Sequence, residues 1–232
     1  ASLRGSYSPP AEPPAALRAL VLRSTWIGSL MGEAFRFALA ALLSASGLEG
    51  RLFVEWLMGD KFLRYEDMAN FHAAVFFPEQ PDKLTFWEQY EMAQPLWLPR
   101  VDFWVRIHAL GEFRYSVFAK RWAATLQEGE EASRACGLPA PLFFRAGQVE
   151  ELALDSPTTA AFWFHLTDYS IFPNLQLFGS ATELLEQLLT ADLRAISSRM
   201  AEFNARTWRR SAAFYQRACC ELLARAAGGL AE

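Results

Sequence analysis

Cysteine is scarce: three in 232 residues, too few and too awkwardly spaced for a framework of paired disulfides. Cys136 stands alone, and Cys219 and Cys220 are vicinal, a spacing at which a bridge is strained. A reducing setting, intracellular or organellar, follows, with the thiols packed as small apolar groups. The C-x-x-C pairs of a structural zinc site are missing, and His72, His108 and His165 fall in no ligand spacing, so no metal is expected. Long apolar runs are lacking too. A membrane-spanning helix needs about 20 nearly uninterrupted apolar residues, but the stretch from Trp26 to Leu48 is broken by Glu33 and Arg36. The run from Ala160 to Leu166 is short and bracketed by Asp155 and Asp168; no transmembrane span is expected. There is no excess of positive charge: the formal net charge is −4, the isoelectric point is near 5.5, and Lys and Arg are scattered. Nucleic acid is therefore not an expected partner. Finally, no G-x-S-x-G elbow, Walker loop or G-x-G-x-x-G fingerprint occurs, which removes the common hydrolase, NTPase and dinucleotide readings and leaves the catalytic residues unassigned.

What is present is core material, 52% hydrophobic and 14% aromatic, enough for one continuous domain. Residues 1–15 carry Pro9, Pro10, Pro13 and Pro14 and read as a leader or linker; residues 16–232 read as a single domain. Leu17 to Leu22, Arg51 to Met58, His72 to Pro78 and Pro95 to Pro99 are short apolar runs of strand length. The third is apolar on both faces, as strands inside a sheet are. Between them, Gly28 to Ser46, Tyr65 to Asn70 and Thr85 to Ala93 read as helices, with Gly47 stopping the first. Strand alternating with helix predicts βαβ units, hence a Rossmann-like three-layer α/β domain around a short parallel sheet. Residues 101–160 read as an aromatic-rich helical and loop insertion, through Phe103, Trp104, Phe113, Tyr115, Phe118 and Trp122 and then a Pro- and Gly-marked loop. Residues 180–227 read as C-terminal helices, one or two. They open on an S-x-x-E capping box at Ser180 and Glu183, and their stripe runs from Leu185 to Met200 and on through Trp208, Ala212, Tyr215, Ala218 and Leu222.

One segment has the look of a binding motif. From Ala73 to Pro99 the chain gives a buried run, a loop with Pro78 and Pro81, a helix carrying Glu88, and Pro95 seven residues later at the next strand. This resembles the donor-binding motif in the nucleotide-sugar half of GT-B-fold glycosyltransferases. The sequence departs from that pattern where Gln80, with Glu79 beside it, stands for a second acid, Gln94 for a glycine, and Pro81, Asp82 and Lys83 for a glycine-rich loop. Tyr169 to Leu189, with its "LQLF" strand, resembles the last strand and capped helix of such a domain.

The resemblance implies that Glu88 accepts hydrogen bonds from a donor ribose and that Lys83 or Arg23 is the cation beside a diphosphate. It implies a nucleotide sugar as substrate, no cofactor, and an acceptor site in a second domain that this chain lacks, so that any glycosyltransferase activity is incomplete in the domain alone. The alternative reading is a noncatalytic scaffold subunit that meets protein partners through its aromatic surface. Trp87, Trp97, Trp104 and Trp122 could serve sugar stacking, an interface or ordinary packing. Asp168 and Tyr169 could cap a turn or line a cleft.

Overall fold

Five short apolar runs pair into one sheet in the computed structural model, which describes residues 3–12, 14–59, 61–78, 84–110, 161 and 164–228. β1 (Leu17–Val21), β2 (Leu52–Trp56), β3 (Ala73–Val75), β4 (Leu96–Pro99) and β5 (Gln176–Phe178) are all parallel and stand in the order β2-β1-β3-β4-β5. Parallel neighbours need crossover connections. These run through α1 (Leu30–Ala45), α2 (Tyr65–Met68), α3 (Leu84–Glu91), and the region of α4 (Val101–Leu110) and α5 (Asp168–Ile171). After β5 come α6 (Ala181–Thr190) and the long α7 (Leu193–Gly228).

Two adjacent residues show how the layers arise. Past β3, Phe76 and Phe77 point to opposite faces, as successive residues of an extended chain must. Phe76 meets Phe86 of α3 at 6.1 Å and Tyr169 of α5 at 5.6 Å between ring centroids. Phe77 stacks on Trp26 at 4.3 Å and lies edge-on to Phe35 of α1 at 5.2 Å. Helices therefore cover both faces, α1 packing with α6 and α3 with α7. The result is the three-layer, Rossmann-like α/β fold expected from the alternation of elements. Sheet position explains the differences in composition: β3 is buried throughout between β1 and β4, while β2 stands at an edge with Phe53 exposed and Val54 to Trp56 half-buried.

α1 begins at Ser29, whose hydroxyl accepts from Gly32 N at 3.2 Å, and ends before Gly47 in the left-handed region at φ 64°. α6 begins on the expected capping box: Ser180 Oγ accepts from Glu183 N at 3.1 Å, and Glu183 reaches back to the Gly179 N–H at 2.8 Å. The C-terminal segment is two helices because Ala191 is extended (φ −68°, ψ 138°) and Asp192 starts the second, its Oδ1 accepting from Ala195 N at 2.9 Å. The leader packs more closely than its prolines suggest: Tyr7 is buried and its hydroxyl donates to the His72 carbonyl at 2.9 Å. Of the insertion read at 101–160, only α4 is described; the aromatic run from Phe113 to Trp122 and the loop 137–160 lie outside the described residues. Trp97 and Trp104 are buried in the core, and Tyr169 is buried against Phe76, Phe86 and Phe164 while Asp168 opens α5. These aromatics are packing residues.

His72 supplies a pH test. Its Nδ1 accepts the Arg18 N–H at 2.9 Å, and burial, then the charge of Arg18, hold the imidazole below its ordinary pKa of 6.5. The unfolded chain then binds the proton more readily than the folded one, so this contribution is present above pH 6.5 and is lost as the pH falls through that value. Urea midpoints should decline as the pH falls below 6.5, with a shallower slope in His72→Asn. An equal slope in the variant would remove His72 from the account.

Candidate functional site

In an open parallel sheet the crevice for a ligand lies beyond the carboxyl ends of the strands, where the direction of the connections reverses. Here β1 connects leftward to β2 while β3 lies on its other side, so the reversal falls between β1 and β3. The loops meeting there are 22–29 after β1 and the chain from Phe76 after β3.

The β1 side is built from a tight 3-10 turn, Thr25–Gly28, followed at once by α1. Ser24 caps the turn, accepting from Trp26 N at 3.3 Å. Ser29 then serves both segments, donating to Trp26 O at 2.6 Å and accepting from Gly32 N. Gly32 lets the helix close on the turn: a Cβ there would fall 2.3 Å from Trp26 O and 2.6 Å from the Ile27 Cα and carbonyl oxygen. The indole of Trp26 is buried and stacks on Phe77, and its Nε1 has no acceptor among the described residues. The β3 side is held by Trp104, whose Nε1 donates to Pro78 O at 2.8 Å.

Glu88 sits in the second turn of α3, half-buried, and accepts a hydrogen bond on Oε2 from the hydroxyl of Tyr65, the first residue of α2. Burial, then the bond to Glu88, push the Tyr65 phenol well above its usual pKa, so it remains a neutral donor. The neighbour of Glu88, Phe86, is fully buried and fixes the helix face against the sheet. Arg23 is exposed two residues past β1, the strand that pairs with β3, so its loop and the one leading to α3 leave adjacent strands at the same edge. Lys83 lies outside the described residues, as do Glu79 and Gln80. Among the described residues no cluster of His, Cys, Asp and Glu could hold a metal ion, and no helix is long and apolar enough to cross a membrane.

Comparison with protein-family models, curated proteins and solved structures finds no match. The site is therefore described by its own geometry. Gln94, where the resembled motif has glycine, is buried and donates from Nε2 to Met68 O at 3.0 Å and Phe71 O at 2.7 Å. It adds a second donor to the Met68 carbonyl, which already accepts from Phe71 N, and ties the β2–β3 connection to the foot of β4, a role glycine has no side chain to fill. Three further residues were not legible in the sequence. Tyr65 looked like an ordinary helix residue, and only tertiary folding sets it on Glu88. Arg100, after β4, pairs with Glu183 at 2.7 Å and with Asp102 at 3.6 Å, and its guanidinium lies over Gly179. The pair joins residues 83 positions apart, which no local pattern records. Gly32 falls four residues after Gly28, and that spacing at the mouth of a predicted strand-to-helix turn was the available signal.

Proposed function

We propose that this chain binds a nucleotide-sugar donor in the crevice between the β1 and β3 loops, as the nucleotide-sugar half of a GT-B-like glycosyltransferase whose acceptor site lies in another domain. The observation that carries the reading is Glu88. It stands on the helix that follows the strand at the reversal point, and its carboxylate already accepts a hydrogen bond from a hydroxyl. A ribose offers the same donor, and a carboxylate has acceptor capacity at both oxygens. Arg23 at the end of β1 and the N-terminus of α1 supply positive potential for a diphosphate. The bond from Tyr65 orients the carboxylate and is exchanged in part for the ribose hydroxyls.

Titration with uridine and guanosine diphosphate sugars should raise the melting temperature saturably. At a hundredfold excess over Kd the gain is about 2.7 kcal/mol, or roughly 5–10 °C for a chain of this size. Glu88→Ala should abolish the shift while costing about 1 kcal/mol of intrinsic stability, and Tyr65→Phe should retain it. No shift in the native protein with any of these sugars would sink the reading. A second reading, a noncatalytic subunit of a larger assembly, is favoured by the bare apolar stripe on α7, and would leave all three proteins silent to the sugars.

A further inference from the structure

α7 runs 36 residues, about 54 Å at 1.5 Å per residue, and among the described residues only its beginning has a surface to lie against. Leu193, Ile196 and Met200 are buried, Phe203 is edge-on to Tyr90 and Phe172, and Asn204 Nδ2 donates to Tyr90 O at 2.7 Å. From Ala205 to Ala224 no residue is buried. Cys219 and Cys220 are therefore exposed free thiols, not the packed groups their composition suggested, because this part of the helix has left the body.

The apolar stripe nevertheless continues. Trp208, Tyr215 and Leu222 follow one another at seven-residue steps and are 55%, 66% and 65% exposed. Ser211, Ala212, Ala218 and Cys219 lie between them on the same face, while Arg206, Arg210 and Arg217 lie about half a turn away at 3.6 residues per turn. Arg4 stacks over Trp208 at 4.8 Å and pairs with Glu91 at 3.3 Å, marking where the stripe leaves the body.

We propose that two copies of this chain dimerise by antiparallel pairing of their α7 segments, with Tyr215 at the two-fold axis. The stripe is self-complementary in that register, as an isologous interface requires. Trp208 of one copy lies level with Leu222 of the other, Ala212 with Ala218, and Tyr215 with itself, so large layers alternate with small ones and the helices can approach. The charges agree: Arg209 comes level with Glu221, Arg210 with Cys220, and Arg217 with Ala213, so none of these arginines meets another. A parallel pair in register would set each arginine level with its own copy. An anionic membrane fits less well, since three of the four arginines between Ala205 and Ala224 stand behind the apolar face and would point away from the lipid phosphates. The stripe is also continuous with a face that protein already covers, through Leu193, Ile196 and Met200.

The chain should sediment as a dimer that dissociates on dilution. Tyr215→Arg with Leu222→Arg should weaken association by on the order of a hundredfold or more while leaving the melting temperature of the monomer unchanged, since both positions are exposed. In a Cys219→Ser, Cys220→Ser background, Tyr215→Cys should cross-link with itself. Trp208→Cys should cross-link with Leu222→Cys in a mixture but with neither alone. A monomer at every concentration overturns the proposal, as does self-cross-linking of Trp208→Cys or flotation of the monomer with phosphatidylserine vesicles in place of dimerisation.

Discussion

Gly32→Ala is expected to lower stability by about 2–4 kcal/mol, a fall in melting temperature of roughly 5–15 °C. Helix propensity alone gives the opposite sign, since alanine is better than glycine in a helix by about 1 kcal/mol. The contact decides against propensity. The added Cβ would stand 2.3 Å from a backbone oxygen and 2.6 Å from a backbone carbon, and no rotamer change can move either. Trp26 and Ile27, which own those atoms, are themselves buried, and Trp26 is wedged against Phe77 and Phe35. The first turn of α1 must therefore shift, and with it the cap from Ser29 to the Gly32 N–H. Thermal or urea unfolding measures the sum. A gain near 1 kcal/mol, as propensity alone predicts, would show that the 3-10 turn does not close on the helix in solution. The same shift would open the β1 side of the crevice, so whatever sugar response the native protein has should weaken in this variant.

Phe86→Ala is the second large effect, about 3–5 kcal/mol. The ring is fully buried and meets Phe76 at 6.1 Å, Tyr90 at 6.1 Å, Tyr169 at 4.8 Å and Phe172 at 5.6 Å between centroids. Deleting it leaves a cavity bounded by the rigid rings of Phe76, Tyr90, Tyr169 and Phe172, which cannot collapse to fill it. Phe86 also sets the face α3 presents to the sheet, and Glu88 follows two residues later. Trp87→Ala is the contrast. That side chain is 43% exposed, so its loss should cost less than half as much by the same unfolding measurement. Equal losses at the two positions would mean that α3 does not pack by this face.

The pattern of elements was legible because each is a local consequence of spacing and turn chemistry. The predicted helix from Gly28 to Ser46 became α1 with Ser29 as cap and Gly47 as stop, a difference of at most two residues at either end. His72 to Pro78 became a central strand because a run apolar on both faces can be buried only inside a sheet. The candidate site was legible in part. Glu88 was singled out by its distance from Pro95, but its partner Tyr65 lies 23 residues away, and no periodicity joins them. Gln94 read as a departure from a motif; its two carbonyl partners give it a structural purpose that only folding reveals.

Sequence by itself determined the segments that became β1 to β4, α1 to α3 and α6, where α1 and α6 start, and that the strands run parallel, because hydrophobic period, capping and connection length act over a few residues. The tertiary structure decided the strand order, which placed β2 at an edge and the reversal beside β1, and it decided which carboxylate meets which hydroxyl. It also decided that, among the described residues, the stripe on α7 is covered at one end and exposed at the other. A stripe records only that a face is apolar; whether anything lies against it depends on where the body ends, and that is fixed by the packing of distant segments.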